Sequence, residues 1–196
     1  MYYLKTPLSI EDIEKLRIGD IIYLSGIVIT ARDLTHKLIL EKLRRNEKLP
    51  IDLKGSALYH AGPVVKKINN EWKIISIGPT TSTRMEFYEY ELIEKVGIKL
   101  IIGKGGMGEK TRKALMKFKA CYAIFPGGCG VLAARQVRKV LNVYFIEELG
   151  QTEAMWVLEV ENFGPLIVVM DSHGNDLYRE LKKRSLERMK SLIETL

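Results

Sequence analysis

At 196 residues, 46% of them hydrophobic and 28% charged, the chain suffices for one domain with a sizeable core, or two very small domains. No apolar run approaches the ~18 residues of a membrane-spanning helix, the opening residues lack a basic-then-apolar secretory signature, and two cysteines cannot frame a disulfide scaffold or hold a metal cluster alone. A reducing, cytoplasmic setting is the expectation, and a net charge of +7 points to anionic partners.

In chain order, Ser9 to Leu16 reads as a short helix with Ser9 as N-cap and Asp12 three residues on. Asp20 to Thr30 is a β-branched strand, and Ser25-Gly26 inside it predicts a bulge or a close approach. A helix follows from about Leu34 to Arg45, with Leu34, Leu38 and Leu43 expected inward. Ala57 to Tyr59, Val64-Val65 and Trp72 to Ile77 are strand material, the last stopped by Gly78-Pro79. Ser82 to Val96 has helical spacing. Then comes an alternation: strand Lys99 to Ile102, helix Gly108 to Lys119, strand Cys121 to Phe125, helix Gly130 to Leu141. Strands at Val143 to Ile146, Met155 to Val160 and Leu166 to Met170 precede an amphipathic helix from Asn175 to Leu196, its stripe being Leu177, Leu181, Met189, Leu192 and Leu196. No repeat or long linker interrupts the chain. The expectation is one compact α/β domain, its sheet partly parallel, covered by helices on one side and by further strands elsewhere.

Much of the basic excess sits in two runs, Lys110 to Lys119 and Arg179 to Lys190, the second diluted by Glu180, Glu187 and Glu194. Solvated helix faces explain both. Nucleic-acid binding would need aromatic groups among them, and only Phe118 and Tyr122 lie near the first run.

Four segments could carry chemistry. Gly103-Lys-Gly-Gly-Met-Gly-Glu-Lys110-Thr111 follows a strand and opens a helix like a phosphate-binding loop. Glu109, however, separates the Gly-Lys pair that such loops need adjacent. The better reading is a glycine turn presenting Lys104 to an anion. Gly78-Pro-Thr-Thr-Ser-Thr-Arg84-Met85 places four hydroxyls and a guanidinium at a helix start. One hydroxyl should cap the helix, and the set could equally bind a carboxylate. At Thr30-Ala-Arg32-Asp33, either Asp33 caps and Arg32 meets solvent, or Arg32 serves a site. The loop Phe125-Pro-Gly-Gly-Cys129-Gly could approach a ligand with its backbone. His60, at the bend Tyr-His-Ala-Gly-Pro, and His173, in Asp171-Ser-His-Gly-Asn, read as structural, and no spacing supports a Cys129–His thiol pair. Cations and hydroxyls at three strand ends suit a small polyanion, most economically a dicarboxylate. A non-catalytic small-anion-binding module is the alternative from another class.

LSGxxxTARDxxH (Leu24 to His36), YHAGP (Tyr59 to Pro63), GPTTSTRM (Gly78 to Met85), IGKGGM (Ile102 to Met107), EELG followed by Glu153-Ala154, and DSHGNDLY (Asp171 to Tyr178) occur in this order. Together, over about residues 7 to 180, they resemble the beta subunit or carboxy-terminal domain of class I fumarate hydratases and the related L(+)-tartrate dehydratases. The resemblance implies a swivelling β/β/α domain spanning residues 1–196. It implies reversible hydration of fumarate to malate, or alternatively dehydration of L(+)-tartrate. It also implies that this chain binds no cofactor itself. An alpha partner would carry a 4Fe–4S cluster on three cysteines, in an assembly such as a heterotetramer, without nucleic acid or membrane. By motif position, Arg32, Arg84, Lys104 and Thr81 would bind the substrate carboxylates. Thr80 would stand near the carbon that loses its proton, with Arg32 or Arg84 supporting its alkoxide. The cluster iron would act as Lewis acid on the leaving hydroxyl. The sequence departs from the family at Glu86 (commonly Asp), at Cys129-Gly130, and at Thr152-Glu153 (commonly Pro-Glu).

Overall fold

The computed structural model describes residues 1–193; Glu194 and Leu196, assigned above to the closing helix, lie outside the described residues. Strand β1 (Tyr2–Lys5) leads into helix α1 (Ile10–Glu14). The helix starts with a capping box: the Asp12 N–H donates to Ser9 Oγ and the Ser9 N–H to the Asp12 carboxylate, both at 3.1 Å. Strand β2 (Ile21–Thr30) shifts register between Leu24 and Gly26, as the Ser-Gly pair predicts. Gly26 has φ +100°, and a Cβ there would meet Thr6 Oγ1 at 2.5 Å. Bulge and close approach are both present.

After α2 (Asp33–Arg44) come β3 (Ala57–Tyr59) and the hairpin β4 (Val64–Ile68)–β5 (Glu71–Ser76). A 3-10 turn (Ser82–Met85) runs straight into α3 (Glu86–Val96). Next are β6 (Leu100–Gly103), α4 (Glu109–Phe118), β7 (Cys121–Ile124) and α5 (Gly130–Arg135). The chain continues with β8 (Val137–Tyr144), α6 (Ile146–Leu149), β9 (Met155–Met170) and α7 (Leu177–Ile193).

Strands β1, β2, β3, β6 and β7 pair in parallel, in that order. Strand β9 is antiparallel and has partners on both edges: Ile167 stands opposite Ile124 of β7 and Ile21 of β2. The strands β2-β3-β6-β7-β9 therefore close into a ring. Side-chain alternation sorts the core into two layers. Ala57 and Tyr59, Leu100 and Ile102, and Cys121 and Ala123 turn inward with Leu24, Trp156 and Phe163. Leu58, Ile101 and Tyr122 turn outward beneath Ile39, Leu92 and Leu115 of α2, α3 and α4. The result is a single compact α/β domain with a partly parallel sheet, as expected.

Four local expectations need correction. The helix begun at Gly130 stops at Arg135, and Val137–Tyr144 is a strand. Val137, Val140 and Val143 recur every three residues, which mimics a helix. Two register shifts in β8 let the three valines share one face of a strand instead. The proposed strands at Met155 and Leu166 are one strand, because the turn-like residues Asn162, Gly164 and Pro165 form an irregularity that stays paired to β2. In α2 the inward face is Thr35, His36, Ile39 and Leu40, while Leu34 is 49% exposed. Finally, no residue of α7 is buried: Leu177 packs at the edge of the outer layer, while Leu181, Met189 and Leu192 are exposed. No helix among the described residues is long and apolar enough to cross a membrane.

Candidate active site

The carboxyl ends of parallel strands are where an open α/β sheet gathers polar groups. Here Thr30 ends β2, Tyr59 ends β3 and Gly103 ends β6, so the residues that follow each strand emerge side by side. The Thr80 N–H donates to the His60 carbonyl at 2.6 Å, and Thr81 bridges Lys104 in parallel, with the Ser82 N–H donating to the Lys104 carbonyl at 3.1 Å. GPTTSTRM is thus stitched between YHAGP and IGKGGM. The aliphatic part of Lys104 runs past Gly127 of the Phe125–Gly130 loop.

The two guanidinium groups are both engaged within the chain. Arg84 grips Asp33 with a fork, Nε to Oδ1 at 3.1 Å and Nη2 to Oδ2 at 2.5 Å, with half of the Arg84 side chain exposed. Arg32 Nε lies 3.3 Å from Glu153 Oε1, and its Nη1 donates to the Thr152 carbonyl at 3.5 Å. Arg32 therefore does not simply meet solvent. Asp33 does not cap α2 either; it is the first helical residue and belongs to Arg84. Lys104 is partly buried, and among the described residues no carboxylate pairs with its Nζ.

Helix starts at the site are closed by carboxylates from elsewhere in the chain. The Leu34 N–H, at the start of α2, donates to Glu153 Oε2 at 3.0 Å. At α4, Glu86 accepts from the N–H groups of Gly108 (2.7 Å), Lys110 (3.1 Å) and Thr111 (3.2 Å), and from Thr111 Oγ1 (2.5 Å). Glu86 thus occupies the position a nucleotide phosphate would need, which removes the phosphate-loop reading. None of the hydroxyls of Thr80 to Thr83 caps the following helix; Thr83 Oγ1 donates instead to the Gly106 carbonyl at 2.7 Å. Replacing Glu86 with alanine would orphan three helix-start donors. The variant is expected to lose about 2 kcal/mol of stability in urea unfolding. A change below about 0.5 kcal/mol would show that water replaces the carboxylate.

Beneath these segments, fully buried, lie His36, His60 and Glu89. His36 Nε2 is 3.1 Å and His60 Nε2 is 2.7 Å from Glu89 Oε1. Glu89 offers no signal in the sequence, and His60, expected to be structural, is buried against it. Burial resists charge on all three groups. Even so, His60 and His36 together hold the Glu89 carboxyl down at about 2. His36 is raised, because Glu89 outweighs its desolvation, and His60 is lowered by desolvation.

The two cysteines do not suit an iron–sulfur cluster. Cys121 is buried inside the ring, where desolvation pushes its thiol far up, and Cys129 lies apart from it at the start of α5. His173 sits in the expected turn, its N–H donating to Asp171 Oδ1 at 2.9 Å.

Residues 2–181 match the family model described as Fumarase C-terminus. The chain belongs to that family. Its relatives include the Escherichia coli K12 L(+)-tartrate dehydratase subunit beta, 48% identical over 193 residues, which cover 98% of this chain and 94% of that protein. A Methanocaldococcus jannaschii protein provisionally named L(+)-tartrate dehydratase subunit beta is 51% identical over 193 residues, 98% of this chain and 99% of its own length. A Geobacillus stearothermophilus protein provisionally named fumarate hydratase class I is 39% identical over 192 residues; these cover 97% of this chain but only 36% of that longer protein. Within the Fumarase C-terminus family, the chain thus matches a free-standing subunit end to end and one part of a longer hydratase. The first kind is named as a dehydratase subunit and the second as a hydratase.

Proposed function

We propose that the chain is the beta subunit of a two-component iron–sulfur hydro-lyase that reversibly hydrates fumarate to malate. The observation that carries this is the junction of Thr80-Thr81 with Lys104 at the strand ends, with Arg84 and Arg32 on the adjoining segments. Lys104 and the guanidinium groups of Arg84 and Arg32, with the Thr81 hydroxyl, clamp the two carboxylates. The clamp also stabilises the negative charge that develops next to the reacting carboxylate as the proton leaves. Arg84 and Arg32 come to the substrate from Asp33 and Glu153, so binding exchanges an internal carboxylate for an external one. Thr80 takes the proton. A threonine alkoxide is unfavourable in water, so this role requires a cation, Arg32 or Arg84, close to the hydroxyl in the closed site.

The chain's own thiols do not fit the 4Fe–4S cluster, which we assign to an alpha partner. Bound by that partner, the cluster would supply Lewis acidity for the leaving hydroxyl. We read residues 1–196 as one swivelling β/β/α domain that turns on its partner, in a cytoplasmic heterotetramer that engages neither nucleic acid nor membrane. The second reading, L(+)-tartrate as substrate, is favoured by the names of the relatives that match the chain over its whole length.

The purified chain alone is expected to be colourless and to turn over neither malate nor tartrate. Anaerobic mixing with an iron–sulfur alpha subunit should restore turnover, and the faster of the two substrates decides between the readings. Substantial turnover by the isolated chain would sink the two-component assignment.

A further inference from the structure

Four fully buried polar side chains, His36, His60, Ser82 and Glu89, lie directly behind the residues proposed to hold substrate. His36 Nδ1 stands 2.7 Å from the Arg32 carbonyl, and His60 Nδ1 stands 2.9 Å from Ser82 Oγ, which in turn accepts the Lys104 N–H at 3.3 Å. The His60 carbonyl accepts the Thr80 N–H. One carboxylate, Glu89, touches both imidazoles.

Donor and acceptor logic orders the protons. A carbonyl only accepts, so His36 Nδ1 carries hydrogen, and Nε2 facing a carboxylate carries one too; His36 is an imidazolium. A lone pair on His60 Nε2 at 2.7 Å from the same carboxylate would be repelled, so that nitrogen is protonated and Nδ1 accepts from Ser82 Oγ–H. The directions of the pKa shifts agree with an ionised Glu89, a charged His36 and a neutral His60. The chain Lys104 N–H, Ser82 O–H, His60 then runs with a single polarity, and the Glu89 charge lies against its inner end.

Stability does not explain this arrangement. Buried ionic groups are often replaceable by apolar ones at no loss, and here the contact of His60 with Glu89 is off the line of a good hydrogen bond while Glu89 Oε2 has no partner. Gly103 has even been kept clear for it: a Cβ there would collide with Ser82 Oγ and lie 3.2 Å from His60 Nδ1.

We propose that Ser82, His60 and Glu89 are positioning residues, which fix Thr80 and Lys104 from beneath for the hydro-lyase reaction. This rests on the function proposed above. In the complex reconstituted with the iron–sulfur partner, Ser82→Ala is expected to lower kcat at least about tenfold while KM stays within about twofold. The double variant Ser82→Ala/Lys104→Ala should be slower than Lys104→Ala by less than the Ser82→Ala factor, since part of the effect of Ser82 passes through Lys104. Glu89→Gln, if it folds, should act like Ser82→Ala. A folded Ser82→Ala complex with unchanged kcat, or with effects that simply add to those of Lys104→Ala, would overturn the proposal. Imidazole nitrogen NMR of the free chain at pH 7 should find His60 protonated only on Nε2, and amide exchange at Lys104 should quicken at least about tenfold in Ser82→Ala. These two readouts need no turnover, so an inactive wild-type complex would remove the hydro-lyase reading without touching them. Protonation of His60 on Nδ1, or unchanged exchange at Lys104, would overturn the positioning network itself.

Discussion

Lys104→Ala should reduce kcat/KM of the reconstituted complex about a hundredfold, while Lys110→Ala changes it by less than about twofold. The first figure follows from losing a charge-assisted contact of about 3 kcal/mol. Lys104 leaves the end of β6 beside Thr81, partly buried and without a carboxylate partner among the described residues, so its charge is available to an anion. Lys110 is exposed on the first turn of α4, and its N–H is already given to Glu86. The same glycine loop thus presents two lysines with opposite prospects. Steady-state kinetics of both variants against the same dicarboxylate decides. Calorimetry adds a control: neither ATP nor GTP with magnesium should bind, because Glu86 fills the helix start. A reversed order of the lysines, or nucleotide binding that Lys110→Ala abolishes, would overturn the assignment at this loop.

Glu89→Ala should destabilise the free chain by about 3–5 kcal/mol at neutral pH, since it leaves a buried imidazolium without its counter-charge. The pH dependence has a definite sign. Burial alone would raise the Glu89 carboxyl, but His60 and His36 override it and hold it at about 2 against an ordinary 4.5. Its contribution is therefore complete above pH 4.5 and is lost as pH falls towards 2. His36, raised from 6.5, contributes below that value and loses its contribution as pH rises through the folded one. His60, lowered from 6.5, does the opposite, contributing above 6.5 and losing its share as pH falls through its folded value. His36 therefore acts on the alkaline side of 6.5, His60 below it, and Glu89 adds the loss between pH 4.5 and 2. Urea unfolding at stepped pH should show wild-type stability falling between about pH 4.5 and 2, with that limb flattened in Glu89→Ala. An equal slope in both proteins would mean that Glu89 is not ionised in the fold.

Short continuous apolar runs such as Ala57–Tyr59 and Cys121–Ile124, and the glycines and prolines that end such runs, made most strands and helices legible in the sequence. So did the capping box of Ser9 and Asp12, because both partners lie within one turn. What escaped has a common cause in sequence distance. The helix starts at Asp33 and Glu109 are closed by Glu153 and Glu86, remote in the chain, so the expected cap Asp33 is free to pair with Arg84 instead. Bulges in β8 disguised a strand as a helix. At the site, the cationic and hydroxyl residues stood out by type and by position after strands. The carboxylates that neutralise them, Asp33 and Glu153, and the buried Glu89 could be found only once the ring had brought them together.

The closing of that ring sets an order of events in time. Strand β2 is among the first elements synthesised, yet its antiparallel partner is β9: Ile29 waits for Val157, and Ile21 for Ile167. Pairings this remote make folding slow, because the entropy of closing a long loop is lost before any contact compensates for it. While the chain is growing, β1, β2 and β3 can associate, but β2 keeps one edge of unpaired N–H and C=O groups. That edge is rich in isoleucine and valine, the composition that aggregates most readily when left open. Chains cut short before Met155 should therefore accumulate as insoluble material rather than as a smaller folded unit. Late arrival of β9 makes this protein a natural client for chaperones that shield strand edges during synthesis.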